Sequence, residues 1–259
     1  MKEVALITGA SSGLGKALAE IHAKRGGDLV IVARGVDKLN EIKQTFEKNF
    51  NVKVYVLQKD LSNFEAAEEI YKEIQTKKIS IDYLINNAGL GGQGYFHERT
   101  MEQDINLIMV DIIALTKLTK LFLRDFVKRG SGKILNVSST AALMPAGPMQ
   151  ATYYAAKSYV TALSDGIWQE IQGTGVTITT LMPGGMDTGF AKASNLENTV
   201  LAKSMTFSPD IVAKDGYEAM LRGDMEVVSK LTPEQEEWFK SVSTIPKEII
   251  LKQLFDMQK

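Results

Sequence analysis

Short runs of apolar, often β-branched residues alternate along the chain with longer stretches in which apolar residues recur every three or four positions. The short runs are typical of strands buried on both faces, and the longer stretches are typical of amphipathic helices. Strands that alternate with helices predict right-handed βαβ units and one parallel sheet covered on both faces. The predicted strands are Val4–Thr8, Leu29–Ala33, Val52–Leu57, Ile81–Asn86, Lys133–Ser138 and Val176–Met182, and the predicted helices are Leu14–Lys24, Lys38–Asn49, Asn63–Lys77, Met101–Lys128 and Tyr153–Gly173.

The pattern becomes irregular after the sixth predicted strand. Residues Gly184–Ser208 carry glycine and polar residues without a clear period, which predicts a functional lid or a partly helical segment. Pro209–Arg222 predicts a further helix, and Met225–Ser229 predicts a last strand. Thr232 at the cap position, followed by Pro233 at the first helical position, predicts a helix in the tail. The sequence does not reveal the role of this tail.

Composition narrows the class of protein. No repeat, low-complexity tract or linker divides the 259 residues, so we expect one domain, with a substrate loop at about 184–208 and a tail at about 231–259. The 30 basic and 31 acidic residues give a net charge of -1, which argues against the binding of nucleic acids through their phosphates. Because cysteine is absent and there are only two histidines, we expect no disulfide, no thiolate catalysis and no metal site.

The lengths of the apolar runs bear on where in the cell the protein is located. The apolar run Val4–Ile7 is too short for a signal sequence, and no stretch approaches the roughly 18 apolar residues of a membrane span. We therefore expect a soluble cytoplasmic protein without a membrane span.

A glycine-rich turn follows the first predicted strand and opens the first predicted helix. Glycines allow the backbone to turn sharply and approach a ligand, and a helix N-terminus presents free N–H groups to a phosphate. A tight turn without a ligand would leave the same spacing, but the strand–turn–helix context favours a nucleotide site. The expected contacts are Thr8, Gly9, Ser11, Ser12, Gly13, Leu14 and Gly15.

The end of the second predicted strand bears on which nucleotide binds. A carboxylate there would bond both hydroxyls of the adenosine ribose and favour NAD. Instead Arg34 follows Ala33 directly, and Asp37 lies several residues further on. A guanidinium suits a 2′-phosphate, so Arg34 favours NADP(H) over NAD(H), although a solvated surface arginine would look the same.

A tyrosine, a lysine and a serine are expected to meet beside this nucleotide. Tyr153 and Lys157 are four residues apart and share one helix face. Ser138 and Ser139 end the fifth predicted strand, at the sheet edge where ligands bind in open parallel sheets. A packed tyrosine under a solvated lysine usually explains such spacing. The accompanying motifs therefore decide whether this pair belongs to an active site.

Those motifs make the chain resemble the short-chain dehydrogenases/reductases of about 250 residues. The resemblance implies a Rossmann-type doubly wound α/β fold with a parallel sheet of about seven strands. It is carried by five ordered motifs between residues 8 and 188: the glycine turn Thr8–Gly15; Asp60-Leu61, implied to contact adenine; Asn86-Asn87-Ala88-Gly89; Ser139, Tyr153 and Lys157, implied to be catalytic; and Pro183-Gly184 with Met186 and Thr188, implied to lie at the nicotinamide.

The resemblance also implies an activity. Tyr153 would exchange a proton with the oxygen of a carbonyl or alcohol substrate, Ser139 would hold that oxygen, and Lys157 would bond the nicotinamide ribose. A tyrosine pKa of about 10 is too high for this work near neutrality, and lowering it by three units takes about 4 kcal/mol. Lys157, together with the oxidised nicotinamide, is the expected source. The family further implies a homodimer or homotetramer.

One position departs from the family pattern. Asp111 stands where the family usually has an asparagine that completes a proton relay to the lysine. A carboxylate about 5 Å from Lys157 would interact with it by about 3 kcal/mol at an effective dielectric of 20, and so would partly cancel its effect on the tyrosine. Alternatively, the relay uses the backbone carbonyl and the side chain is only hydrogen-bonded.

The substrate itself is expected to be small, carbonyl- or alcohol-bearing and fairly apolar. The loops Leu90–Phe96, Leu143–Gln150 and Gly185–Ser208 should form its pocket, in which methionines such as Met186 would provide an adaptable wall. The alternative function is a non-catalytic NADP(H)-binding sensor or scaffold, which the Asp111 departure alone favours.

Overall fold

The computed structural model describes residues 2–186, 189–196, 199 and 207–258. Its centre is a sheet of seven parallel strands in the order β3-β2-β1-β4-β5-β6-β7. The predicted doubly wound parallel sheet is confirmed. The strands are β1 Val4–Thr8, β2 Asp28–Ala33, β3 Val54–Gln58, β4 Tyr83–Asn86, β5 Gly132–Val137, β6 Val176–Pro183 and β7 Glu226–Ser229.

Helices connect these strands and cover both faces of the sheet. The α-helices are α1 Gly13–Lys24, α2 Val36–Phe50, α3 Ala66–Thr76, α4 Met101–Ile108, α5 Leu115–Arg129, α6 Ala151–Glu170, α7 Phe190–Ala193, α8 Pro209–Arg222, α9 Pro233–Ser241 and α10 Lys247–Met257. A π-helical turn, Met109–Ala114, joins α4 to α5, and short 3-10 turns span Thr140–Leu143 and Val242–Thr244. No helix in the described part of the chain is both long and apolar enough to cross a membrane.

Successive side chains of each strand point to opposite faces of the sheet, and this alternation divides the interior into two apolar cores. In β1, Ile7 joins a cluster with Leu18 of α1 and Tyr217 of α8, whereas Leu6 joins one with Ile70 of α3 and Phe122 of α5. All of these side chains are almost fully buried. Since successive strand residues point to opposite faces, each strand must be apolar throughout, which explains the continuous apolar runs in the sequence.

The strand order reverses direction at β1. Ile7 pairs with Ile31 of β2 on one side and with Ile85 of β4 on the other, so the chain winds outward in both directions from β1. The connections on the two sides leave a crevice beyond the carboxyl ends of β1 and β4. The fold therefore places a ligand crevice where the glycine turn begins.

The structure changes two of the predicted helices. The stretch Met101–Lys128, predicted as one helix, is interrupted by the π-helical turn, because the residue spacing alone does not report a local change of hydrogen-bond register. The helix predicted from Asn63 begins at Ala66, behind a turn. The predicted tail helix is confirmed with its cap: Thr232 accepts a hydrogen bond from the Gln235 backbone N–H at 3.3 Å.

The tail packs beside the start of α6. Ile250 and Leu254 of α10 are buried in a third apolar cluster with Ala141, Met144 and Tyr154. This cluster lies at the 3-10 turn after β5 and at the first turn of α6. The C-terminal helices therefore cover the region that contains Tyr153.

Candidate active site

The glycine turn is held against the end of β4 by hydrogen bonds. The Thr8 hydroxyl accepts the backbone N–H groups of Asn87 and Ala88, each at 3.0 Å, and the Asn87 amide nitrogen donates to the Thr8 carbonyl at 2.9 Å. A Cβ on Gly9, which has φ +67°, would lie 2.9 Å from the Ala88 Cα, and one on Gly15 would collide with the Gly9 carbonyl. Asn87 and Ala88 thus support the turn from below.

The N-terminus of α1 has no side-chain cap of its own. Ser12 occupies the cap position with extended backbone angles, but its side chain accepts no hydrogen bond, and the first turn contains no acidic residue. The first N–H groups of the helix and the positive end of its dipole therefore remain available to an anion. Gly13, with φ +52°, sets the direction in which the helix starts.

Arg34 and Asp60 lie at the ends of neighbouring strands. Arg34 follows the last residue of β2, its side chain is exposed, and its carbonyl accepts a hydrogen bond of 3.0 Å from Gln58 of β3. Asp60 uses one carboxylate oxygen to accept the Ser62 N–H at 3.0 Å and the Ser62 hydroxyl at 2.8 Å, while Leu61 is buried. Asp60 therefore shapes its own turn.

The predicted nicotinamide end follows β6. Pro183 ends that strand, and the Gly184 N–H donates to the Ser229 carbonyl of β7 at 2.9 Å. A Cβ on Gly184 would collide with the Lys230 carbonyl, so this glycine permits close packing of the two strand ends. Met186 forms an isolated bridge with Phe207. Thr188 lies outside the described residues.

Two adjacent serines at the end of β5 have different tasks. Ser138 is buried, and its hydroxyl donates to the Lys157 carbonyl at 2.9 Å, which fixes α6 to the strand. Ser139 is partly exposed, and its hydroxyl oxygen accepts the Ala141 N–H at 3.1 Å, which caps the following 3-10 turn. Ser139 is therefore the more exposed of the two serines, and the catalytic role that the resemblance implies for it stays a prediction.

A buried polar network, which sequence reasoning missed, supports this edge of the sheet. The Asn86 amide donates to the Asn136 amide oxygen at 2.9 Å and to Thr119 of α5 at 3.0 Å, and the Asn136 amide donates to Ser164 of α6 at 3.0 Å. Polar residues at the ends of two otherwise apolar strands were the available signal.

Lys157 is buried and held from two directions. Its ammonium group donates to the Val137 carbonyl at 3.2 Å and lies 3.0 Å from a carboxylate oxygen of Asp111. It also lies 5.6 Å from the centre of the Tyr153 ring. The i, i+4 pair predicted from the sequence is therefore together in space, with Asp111 as a third member.

Asp111 faces Lys157, as the first of the two interpretations of this position requires. The carboxylate belongs to the π-helical turn, is fully buried, and accepts the Leu90 backbone N–H at 2.7 Å through its other oxygen. A Cβ on Gly89 would lie 3.1 Å from the carboxylate and 3.3 Å from the ammonium, so the glycine leaves room for the ion pair.

Burial and charge compete for the protonation of this group. Burial raises the pKa of Tyr153, and Asp111 adds to that effect, while Lys157 and Ser139 pull the pKa down; the net direction is upward. Burial lowers the pKa of Lys157, but the Asp111 carboxylate and Tyr153 together outweigh burial and raise it. Burial raises the pKa of Asp111 as well, against the pull of Lys157. Lys157 alone therefore does not outweigh burial, and the lowered tyrosine pKa that we expected from Lys157 together with the oxidised nicotinamide stays a prediction.

The predicted substrate loops meet beside Tyr153. Within Leu90–Phe96, the Gln93 N–H donates to the Ser194 carbonyl at 3.0 Å and the Gly94 N–H donates to the Met149 carbonyl at 2.9 Å. The Phe190 ring lies 5.8 Å from the Tyr153 ring. The Leu90–Phe96 loop thus connects the described parts of the other two loops.

Comparison with known proteins identifies the family of this chain. The sequence profile of the short chain dehydrogenase family matches residues 3–199. The chain belongs to this family. Short-chain dehydrogenases are oxidoreductases that use nicotinamide cofactors.

Two of the similar proteins are named as reductases of 3-oxoacyl compounds. The mouse very-long-chain 3-oxoacyl-CoA reductase is 34% identical over 196 residues, which cover 73% of this chain but 61% of that protein. The 3-oxoacyl-[acyl-carrier-protein] reductase of Vibrio cholerae is 31% identical, with 75% of this chain and 78% of that protein covered. The chain thus spans about three fifths of the length of the mouse relative.

Solved structures extend the likeness to nearly the whole chain. A short-chain dehydrogenase from Sphingobium yanoikuyae, in complex with NADPH, is 27% identical, with a TM-score of 0.82 and coverage of 93% of this chain and 94% of that one. The bulky-bulky ketone specific alcohol dehydrogenase from Comamonas testosteroni is 26% identical, with a TM-score of 0.78 and coverage of 93% and 92%.

Proposed function

We propose that this protein is an NADP(H)-dependent oxidoreductase that interconverts a ketone and an alcohol, with Tyr153 as the general acid and base. The observation that carries the proposal is the group formed by Tyr153, Ser139 and the buried Lys157. It stands at the carboxyl ends of the strands, on the same sheet edge as the uncapped N-terminus of α1.

The chain's residues fit a dinucleotide. The free N–H groups at the start of α1 suit a pyrophosphate, and Gly9 and Gly15 keep the turn free of side chains where a phosphate must come close. The exposed guanidinium of Arg34, with no carboxylate at the end of β2, suits a 2′-phosphate and supports NADP(H) over NAD(H). The similar Sphingobium yanoikuyae dehydrogenase, solved with NADPH, agrees with this choice.

The protein's own groups would handle the proton and the developing charge. The bound nicotinamide supplies the hydride to the carbonyl carbon. Ser139 would donate a hydrogen bond to the carbonyl oxygen, and Tyr153 would transfer its phenolic proton to that oxygen as it becomes an alcohol. Lys157 would stabilise the resulting phenolate by its positive charge. In the reverse direction the phenolate would take the proton from the alcohol.

The substrate is proposed to be an apolar ketone, such as a 3-oxoacyl compound or a bulky ketone. Apolar rings and side chains surround Tyr153, among them Phe190 and the cluster that includes Met144 and Leu254. The names of the similar proteins, two 3-oxoacyl reductases and a dehydrogenase specific for bulky ketones, fall within the same range.

Stopped-flow oxidation of bound NADPH by a panel of aldehydes, ketones and 3-oxoacyl esters tests this proposal. We expect rapid oxidation by at least one apolar ketone, and weaker binding of NADH than of NADPH in a parallel titration. Tight NADPH binding without oxidation by any member of a broad panel would favour the sensor or scaffold instead.

A further inference from the structure

Ser194 is the residue that caps the end of α7, in the third of the predicted substrate loops. It is 1% exposed, and its backbone groups are both used: its N–H donates to the Phe190 carbonyl at 2.9 Å, and its carbonyl accepts the Gln93 N–H at 3.0 Å. Both bonds involve only main-chain atoms of Ser194. An alanine at this position would therefore keep them.

The hydroxyl of Ser194 is buried and has no hydrogen-bond partner in the part of the chain that the structure describes. Two other buried serines differ in this respect, since Ser138 donates to the Lys157 carbonyl at 2.9 Å and Ser164 donates to the Val160 carbonyl at 2.7 Å. A buried hydroxyl without a partner destabilises the folded chain, because it has lost its hydrogen bonds to water. The hydroxyl at position 194 therefore does not serve the stability of the fold.

The contacts of this hydroxyl place it near the proposed catalytic tyrosine. It lies against Gly91 of the Leu90–Phe96 loop, where an added Cβ would collide with the Ser194 hydroxyl and with the Phe190 ring. The centre of the Phe190 ring lies 5.8 Å from the centre of the Tyr153 ring. The hydroxyl, Gly91 and the Phe190 ring are therefore neighbours on the side of the cleft next to Tyr153.

Gly91 is required here by the close approach of Ser194 and not by its own backbone angles. It is not among the residues with positive φ, so other residue types could adopt its conformation. Both a glycine and an unpaired buried hydroxyl are unfavourable for stability. Departures of this kind from what favours stability are expected where a protein binds a ligand.

A second buried polar atom without a described partner adjoins the same loop. It is Nε2 of Gln150, which is 2% exposed and directly precedes α6. The preceding residue, Met149, accepts the Gly94 N–H at 2.9 Å, so this segment contacts the loop that Ser194 also contacts. Ligand pockets are mostly apolar and contain a few polar groups that orient the ligand, and these two atoms fit that description.

The surroundings of the hydroxyl indicate which chemical group it would bind. A serine hydroxyl and an amide nitrogen can both donate a hydrogen bond to an oxygen atom. The residues that Ser194 contacts are uncharged, and Arg99, which lies against the same loop, is already paired with Asp104 at 3.0 Å. A carboxylate or phosphate would be buried here without a cation of its own, which is unfavourable. A hydroxyl or carbonyl oxygen fits better.

We propose that Ser194 is a specificity-determining residue whose hydroxyl binds a second oxygen of the substrate, a hydroxyl or carbonyl oxygen separate from the one that Tyr153 protonates. This inference rests on the proposed function, since it concerns the substrate of that enzyme. It narrows the substrate from an apolar ketone to an otherwise apolar ketone that carries a second, uncharged oxygen.

Kinetics with matched substrates on the full-length protein and NADPH test the proposal. The substrates are a plain alkyl ketone, the same ketone with one hydroxyl group at successive carbons, and the same ketone with a carboxylate at those carbons. Ser194→Ala removes the hydroxyl in question. Thr177→Val is the matched control, because it removes another buried hydroxyl without a described partner, near the start of β6 and so at the opposite end of the strands from the cleft.

We expect the unmodified protein to favour one hydroxyketone over the plain ketone in kcat/KM by about three- to tenfold, the range of one uncharged hydrogen bond, and to disfavour every carboxylate. Ser194→Ala should abolish the preference for the hydroxyketone, and Thr177→Val should keep it. The unfolding temperature should stay the same or rise in both variants, because each loses an unpaired buried hydroxyl.

Four results would overturn the proposal: no preference for a second oxygen in the unmodified protein, a preference for a carboxylate, the same preference in Ser194→Ala, or a fall in the unfolding temperature of that variant alone. The last result would assign the hydroxyl a role in the fold. If the unmodified protein binds NADPH but oxidises it with no ketone of the series, the proposed function itself fails. That outcome is distinguishable, because no substrate is then turned over at all.

Discussion

The two sides of the cleft are held together in different ways. On the cofactor side, the bonds join residues at the ends of adjacent strands: Thr8 with Asn87, and Asn86 with Asn136. On the substrate side, the bonds join segments far apart in sequence, such as Gln93 with Gln258. The first kind of contact follows from the parallel sheet itself, whereas the second depends on how individual loops and the tail pack.

This difference suggests a division of tasks. Strand ends fix positions firmly because the ladder determines the separation of neighbouring strands, which suits groups that must meet a cofactor accurately. Loops and tails tolerate change with less effect on the fold, which suits the recognition of varied substrates. Changes on the cofactor side should therefore affect all substrates alike, and changes on the substrate side should alter their ranking.

The largest effect is expected for Tyr153→Phe. Loss of the phenolic proton should lower kcat about 10³-fold for every ketone, within the usual contribution of general acid–base catalysis. The Kd for NADPH, measured by fluorescence titration, should stay within a factor of about three, because the ring remains. A loss that differed greatly between substrates would break the proposed division.

Arg34→Ala should have the next largest effect. We expect the Kd for NADPH to rise about 10- to 100-fold, in line with the loss of a charged hydrogen bond, with little change for NADH. Lys38→Ala, four residues further on and also exposed, is the matched control and should change the Kd much less. Equal weakening of both nucleotides by Arg34→Ala would remove the basis for NADP(H) preference.

Gly15→Ala tests the packing beneath the glycine turn. The added methyl group would meet the Gly9 carbonyl and the Asn87 amide, so thermal or denaturant unfolding should show a loss of about 1–3 kcal/mol. The Kd for NADPH should rise at least about tenfold, since roughly 1.4 kcal/mol of lost binding is tenfold. In Gly166→Ala the methyl group meets nothing within 4 Å, and stability should rise by about 1 kcal/mol.

Asp111→Asn should have the smallest effect on rate and the clearest effect on pH dependence. Alcohol oxidation needs the Tyr153 phenolate, so its rate rises with pH through the tyrosine pKa. Asp111 raises that pKa, and its neutralisation should therefore move the rising limb to lower pH. An unchanged rate and pH profile would show that the carboxylate has no part in tuning the site.

Much of the cofactor side could be predicted from the sequence because its residues lie in short motifs at strand ends. The i, i+4 spacing brought Tyr153 and Lys157 together as expected, and the position of Asp111 beside Lys157 was one of two stated alternatives. The predicted roles of these residues in catalysis and cofactor binding stay predictions.

The substrate side could be predicted only as a set of loops. Periodicity reports which face of a helix is apolar but not which surface it covers, so the contacts of Ile250 and Leu254 had no signal in the sequence. The rise in the tyrosine pKa on burial could not be predicted, because burial depends on the folded chain; the lowering expected from Lys157 together with the oxidised nicotinamide stays a prediction. The π-helical turn was not predicted, because a local change of hydrogen-bond register leaves no signal in the apolar and polar pattern of the sequence.

The π-helical turn, Met109–Ala114, makes the protein sensitive to the insertion or deletion of residues at this position. Removing one residue there would let α4 and α5 join in one regular helix, without the local change of hydrogen-bond register that places Asp111. Asp111 would then no longer face both Leu90 and Lys157. A single in-frame codon deletion in this stretch should therefore be far more damaging than most substitutions, and insertions or deletions should be selected against here.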